Sequence, residues 1–440
     1  MKSSADLQAI PQHELDKLMP QPFGKRGMWW VIVLSAVCVV GIVAYVRQLM
    51  YGLSVTGLRD YASWGIYISN FVFFVAVSLV GSLITAILRI SNVTWSAPLT
   101  RIAEIIAVSS IVFASVIIVV DMGRPERFMN LFIYGRLQSP ILWDVIVITT
   151  YMALSVLLLY FPLLPDLAIV LKSGKLKRRL RKLYEFLGTF WIGTPEQHRI
   201  KEKAINLLSI IIIPVALAIH TVTSWLFATT YRPGWDSTNF GAYFVSGAFL
   251  VGAGAVVVAM YAIRRAYSLE FFITERHFDR MGKLLVMLSL LYLYFNINEY
   301  LVPVFKMKKS EAEHLSSLFT GEFSLIFWPV IFISMVLPVI VLLFPAGRRP
   351  LPMFVIGILV VVGAWFKRFL IVTPTLLHPF LPMTDVPECY KHYIPTWEDW
   401  AITMGSLAGA LLIVTMFIRL FPILPIDDII KGEGYEKESA

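Results

Sequence analysis

Apolar positions in this chain fall in long blocks separated by shorter polar stretches. Ten blocks, near residues 28–50, 64–89, 99–121, 140–163, 204–229, 239–264, 281–303, 322–344, 351–372 and 398–421, can each cross a hydrocarbon core about 30 Å thick, which takes roughly 20 residues of helix. Several are broken by a Pro or a single polar residue, which membrane helices tolerate when neighbours satisfy the freed carbonyl. The pattern predicts an all-α integral membrane protein of about ten transmembrane helices. It divides into an N-terminal segment (1–27), a first helix with its loop (28–63), a first bundle (64–229), a second bundle (239–372), a loop (373–397), a tenth helix (398–421) and a tail (422–440).

Composition agrees: 58% of the 440 residues are hydrophobic and only 15% are charged, more apolar surface than a water-soluble core requires. With an even number of spans both termini share a side, and that side carries 26 of the 38 Lys and Arg. Basic residues favour cytoplasmic loops, so both ends are expected in the cytoplasm and the loop carrying Arg124 outside. The basic stretch from Lys172 to Lys203 contributes much of the +9 net charge and reads as an anchor on anionic lipid, with no role for nucleic acid. The first 27 residues include Asp6, Glu14, Asp16 and Lys17 and lack a cleavable signal's apolar core.

An internal repeat is visible. Asn70-Phe71-Val72-Phe73 resembles Asn239-Phe240-Gly241-Ala242, Thr100-Arg101-Ile102-Ala103 resembles Asp279-Arg280-Met281-Gly282, and Leu142-Trp143-Asp144-Val145 resembles Phe327-Trp328-Pro329-Val330. The offsets of 169, 179 and 185 residues drift one way, as loop insertions would make them. Helices two to five and six to nine therefore read as two parallel four-helix bundles flanked by helices one and ten. Gly252-Ala253-Gly254-Ala255 on the sixth helix suits close backbone packing in lipid.

Two acids stand where apolar helices meet one outer loop: Asp121, in Asp121-Met122-Gly123-Arg124-Pro125, and Asp144, in Ser139-Pro140-Ile141-Leu142-Trp143-Asp144. Ionisable groups at such depth are costly and point to function. Asp144 also has a structural reading, since a carboxylate in a helix's first turn is favoured by the dipole. Arg124 and Arg127 can pair with Glu126, His220 can bond a neighbouring helix, and Glu299 can sit near water with no special role. What these readings do not account for is the gathering of so many polar groups on one side. Glu104, Ser109, Ser110 and Ser115 along helix three offer a polar track towards Asp121, although serines in membrane helices also serve packing. His220 is the one histidine expected inside a span; His13, His198, His277, His314, His378 and His392 are expected in loops or tails. A haem held by paired histidines is therefore not expected, and Cys38 and Cys389 are too few for an iron–sulfur cluster. No metal site is expected.

The motifs at 121–125 and 139–144, the segment from His220 to Trp225 followed by Arg232-Pro233-Gly234-Trp235, and Arg368-Phe369-Leu370-Ile371-Val372 resemble the NrfD/PsrC family of membrane subunits. The resemblance runs from about residue 60 to 421. It implies a subunit of a bacterial respiratory oxidoreductase complex in the cytoplasmic (inner) membrane. Such a subunit has no redox centre of its own, binds quinone or quinol (menaquinone or ubiquinone) near the outer face, and exchanges electrons with an iron–sulfur protein docked on the periplasmic side. Further partners implied are a multihaem cytochrome c or a molybdopterin-type protein. On this resemblance Asp121, Asp144 and Arg368 line the quinone pocket. Relatives in alternative complex III commonly carry His where this chain has Asp121. Quinone chemistry moves two electrons and two protons, so Asp121 is the expected proton acceptor and donor, with Asp144 as its relay. Arg368 would orient a carbonyl, His220 would line the pocket, Trp143 would pack on the ring, and Arg124, Arg127 and Arg136 would seat the partner. Glu104, Ser109, Ser110, Ser115 and Glu299 are a possible proton path. The alternatives are a proton-translocating redox subunit and a secondary transporter, the latter disfavoured because the acids lie at one face and no matched pair of broken helices is evident.

Overall fold

Long apolar stretches must satisfy every backbone group internally in lipid, and the chain does so by folding into helices. The structure, a computed structural model, describes residues 11–90, 97–174, 176–306, 308–381 and 383–430, which contain no β-strand. The first ten residues and the tail beyond Ile430, both expected in the cytoplasm, lie outside the described residues. The long helices are α1 (Lys25–Tyr51), α2 (Ile66–Ile90), α3 (Ala97–Asp121), α4 (Pro140–Lys172), α5 (Pro195–Ala228), α6 (Phe240–Tyr267) and α7 (Glu275–Lys306). They continue with α8 (Ser324–Leu342), α9 (Pro350–Leu377) and α10 (Trp397–Leu420). Among the described residues nine of these are long and apolar enough to cross a membrane, and α2 contributes the shorter apolar stretch Ile66–Leu79.

Packing arranges α2, α3, α4 and α5 in one closed ring and α6, α7, α8 and α9 in another. The rings meet where α2 packs on α6 and α9 and where α5 packs on α6. α10 lies against α1 and α3, outside both rings. Small residues set the closest approaches. A Cβ on Gly357 of α9 would come within 3.1 Å of the Gly254 carbonyl of α6, and one on Gly41 of α1 within 2.9 Å of the Gly405 Cα of α10. α1 buries only Leu34, Gly41, Ala44 and Gln48, so most of its apolar surface is left for lipid.

Several helices outrun the apolar blocks. α4 continues through Pro162 and Pro165 to Lys172, and α5 starts at Pro195, where the Thr194 hydroxyl accepts the Gln197 N–H and Pro occupies the first turn. His198 and His277, expected in loops, consequently lie in the first turns of α5 and α7, and His314 lies in a short helix, Lys309–Phe319. α8 contains a π-helical turn, Phe332–Val336, immediately before Pro338, which lacks the N–H that would continue the α-helical ladder.

Cross-links identify the two ends of the molecule. At the Asp121 end, the Trp235 indole after α5 donates to the Ile371 carbonyl of α9 (2.8 Å), and Gln48 of α1 donates to the Val120 carbonyl of α3 (2.9 Å). At the opposite end, buried Arg101 of α3 pairs with Asp166 of α4 at 2.6 Å, and Asp166 also accepts the Asp427 N–H at 2.8 Å. Lys201 of α5 reaches Asp427 at 3.3 Å.

Candidate functional site

Asp144 sits one turn into α4, behind Pro140, and is only 3% exposed. Its Oδ1 lies 2.6 Å from the Thr223 hydroxyl of α5, whose single O–H proton is shared with the Ile219 carbonyl at 2.7 Å. The dipole of α4 favours a carboxylate here, but the Thr223 contact ties this one to a neighbouring helix. His220 lies one turn from Thr223 on α5, so the two share a face. It is fully buried, and neither ring nitrogen makes a hydrogen bond of ordinary geometry.

Across the junction between the rings stands Arg368 of α9, 2% exposed. Its guanidinium lies 4.7 Å from the centre of the Phe244 ring, and His220 packs against the same ring at 6.2 Å between centroids. Arg368 Nη2 makes a long 3.4 Å bond to the Phe244 carbonyl, whereas Nη1 has no partner. Phe227, Trp235, Phe240 and Phe244 form a contiguous aromatic wall beside them. The sequence places Asp144, His220 and Arg368 far apart; folding packs α4 on α5, α5 on α6 and α6 on α9, so that Arg368 comes near His220 and Asp144 reaches the same α5 face through Thr223. Unsatisfied polar atoms buried this deeply cost free energy and point to a missing partner.

Asp121 belongs to a neighbouring network. It ends α3, where Gln48 binds the Val120 carbonyl and accepts from the Tyr67 hydroxyl at 2.8 Å. One Asp121 oxygen, Oδ1, is buried without a partner. Asp399 of α10 lies on the same side: its Oδ2 accepts from the Gly57 and Thr396 N–H groups at 2.8 and 2.9 Å, and its Oδ1 is also unpartnered. Burial and the charges of Asp399 and Asp121 both push the Tyr393 phenol, in the loop before α10, above its ordinary range. No hydrogen bond joins Asp121 to Asp144.

The remaining candidates are spread around this end and along α3. Trp143 is half-buried, and its indole N–H donates to the Leu137 carbonyl, fastening the loop to α4. Arg124, Arg127 and Arg136 are exposed on that loop. Glu299 is buried and accepts from the Ser237 hydroxyl at 2.8 Å and from the Asn239 amide at 3.2 Å. Glu104 is buried with Oε1 unpartnered, while the Ser109 and Ser115 hydroxyls donate to the Ile106 and Ile111 carbonyls of their own helix, an arrangement that favours packing. Among the described residues no group of three His, Cys, Asp or Glu could hold a metal ion.

Sequence reasoning missed Asp399, although Thr396-Trp397-Glu398-Asp399 carries the spacing of the capping box that the structure shows. Asp166 was also missed, because it follows the expected end of the fourth helix.

Known proteins extend this picture. A putative dimethyl sulfoxide reductase membrane subunit of Halobacterium salinarum is 26% identical over 424 residues, spanning 91% of this chain and 92% of that protein. A selenate reductase subunit of Mesobacillus selenatarsenatis is 24% identical over 404 residues, 89% of this chain and 93% of its own. The integral membrane subunit of a menaquinone reductase from Nitratidesulfovibrio vulgaris is 24% identical over 422 residues, 90% and 92% of the two chains. The profile of the family described as "Polysulphide reductase, NrfD" matches residues 54–379, which takes in Asp121, Asp144, His220 and Arg368, and this membrane protein belongs to that family.

Proposed function

We propose that this chain is the quinone-handling membrane subunit of a respiratory oxidoreductase complex. The observation that carries the reading is the buried Arg368 guanidinium, whose Nη1 has no hydrogen-bond partner, with the buried His220 ring beside it and the Thr223-bound carboxylate of Asp144 on the same face of α5. A quinone presents two carbonyl oxygens and a quinol two hydroxyls. An Arg N–H donates to the former, and a carboxylate or a neutral imidazole nitrogen accepts from the latter. The aromatic wall supplies a flat apolar surface for the ring. The relative named as a menaquinone reductase subunit supports this chemistry.

Interconversion of quinone and quinol moves two electrons and two protons. Here Asp144, held by Thr223, exchanges a proton with one ring oxygen, and Arg368 orients that oxygen. Asp121, at the mouth with one unpartnered oxygen, exchanges protons with water. Trp143 keeps the mouth loop in place. The exposed Arg124, Arg127 and Arg136 seat an iron–sulfur subunit that exchanges the electrons, with a cytochrome c or molybdopterin-type protein beyond it. The partner side is periplasmic, the termini are cytoplasmic, and the membrane is the bacterial inner membrane. Arg368→Leu in the purified complex should raise KM for a soluble quinol with assembly intact. An unchanged KM and kcat would contradict the assignment.

A further inference from the structure

The second ring holds a buried polar cluster that shares Trp235 and Phe240 of the aromatic wall with the Asp144 site but none of its polar residues. A cavity of ≈ 30 Å³ lies beside the short Lys309–Phe319 helix, lined among others by Glu299, Tyr243 and Thr375 from the ring and by Glu311 and His314 from the short helix. Two polar atoms there, His314 Nδ1 and Glu311 Oε2, are buried without hydrogen-bond partners, and the buried Tyr243 hydroxyl meets Tyr292 and Tyr300. Gly234 packs its backbone directly on the imidazole, since a Cβ there would lie 3.3 Å from His314 Nε2. Fully buried polar atoms are normally paired, and a cavity of more than about 10–15 Å³ with two to four polar partners holds a water.

Both carboxylates of the cluster are buried, Glu311 at 5% and Glu299 at 6% exposure. The other Glu311 oxygen, Oε1, meets the exposed Lys308 ammonium at 3.3 Å, which links the cluster to the surface. On the inner side Glu299 faces the cavity, and the fully buried Lys367 ammonium donates to the Tyr300 hydroxyl at 2.9 Å beneath the Tyr300 and Phe327 rings. Asp236, His378, Tyr292 and the Arg368 guanidinium also bear on the cluster. Burial and the neighbouring His378 push the His314 imidazole down to about 3, which leaves the ring neutral near pH 7. A neutral imidazole has one nitrogen to accept and one to donate.

We propose that this cavity is a hydrated proton inlet that joins the aqueous surface at Glu311 to Glu299 and the Tyr300–Lys367 pair. A proton from surface water passes to the Glu311 carboxylate, on through water held between Glu311, His314 and Tyr243, and ends on the Glu299 carboxylate. Each step breaks one O–H or N–H bond and forms another, and nothing is oxidised or reduced. The inlet is independent of the quinone reading.

The test uses infrared spectroscopy of the complete complex in lipid, moved from H₂O to D₂O. The protonated carboxyl band that disappears in Glu299→Gln belongs to Glu299, and its deuterium shift times proton access. His314→Phe and Glu311→Gln should each slow that shift by about tenfold or more, as expected for loss of a relay hydrogen bond, whereas His314→Gln should restore most of the rate. Should either variant fail to assemble, Thr375→Val, which removes only a lining hydroxyl, should slow the shift as well. Exchange at the unaltered rate in the assembled variants, or no Glu299 carboxyl band at any pH, would overturn the proposal.

Discussion

Thr223→Val separates a placed carboxylate from one that is merely present. The substitution keeps side-chain volume and branching and deletes the hydroxyl that donates to Asp144 Oδ1 at 2.6 Å. A hydrogen bond to a charged group contributes about 1.5–3 kcal/mol, and about 1.4 kcal/mol is tenfold in rate. Asp144 is 3% exposed, so water does not readily replace the lost donor. If the whole of that orientation is used in proton exchange, kcat falls by about 10- to 100-fold. Quinol oxidation by the purified complex, with an artificial electron acceptor, measures this directly. Thr223→Ser keeps the hydroxyl and should recover most of the rate, which excludes a packing effect. Wild-type turnover in Thr223→Val would refute the role of the Asp144–Thr223 bond.

Further expectations concern other parts of the fold. Asp121→Asn should leave the complex assembled and abolish quinol turnover, and unchanged turnover would remove Asp121 from the proton route. Asp166→Asn strands the buried Arg101 guanidinium and should cost about 3–5 kcal/mol, seen as loss of assembled chain or a clearly lower melting temperature in detergent. His314 takes up its proton in the unfolded chain near pH 6.5 but in the folded chain only near 3. Its folded pKa is lowered, so its contribution to stability is full above about pH 6.5 and is lost as pH falls towards 3. The melting temperature of wild type should therefore fall more steeply than that of His314→Gln between pH 6.5 and 4, and parallel curves would show that His314 already carries a proton in the fold.

Hydrophobic blocks made the number and order of the helices legible, because a bilayer demands a minimum apolar length that few loops imitate. They marked the helix ends less well: α4 runs on to Lys172, and α5 begins early at Pro195 under its Thr194 cap. Asp166 therefore fell outside the fourth apolar block, while the structure places it in a buried ion pair with Arg101. Asp144 was legible as an acid near a helix's start, although it stands one turn in and not in the first turn as expected, and its bond to Thr223 spans 79 residues and depends on which helices adjoin. The partnering of Asp121 with the α1–α2–α10 side was likewise invisible, since only packing shows that Asp399 comes near. Apolar periodicity reports which residues avoid water; it does not report which buried polar atoms go unpaired.

Photoaffinity labelling of the intact membrane complex with an azido-quinone, followed by mass spectrometry, bears most directly on the central claim. Saturable labelling of the α4, α5 and α9 peptides that contain Asp144, His220 and Arg368 is expected, prevented by excess quinol and strongly reduced in Arg368→Leu. Labelling confined to other surfaces, such as the apolar groove between α2, α9 and α10 lined by Phe73, Trp365 and Trp400, or labelling that excess quinol leaves unchanged, would contradict quinone binding at this site.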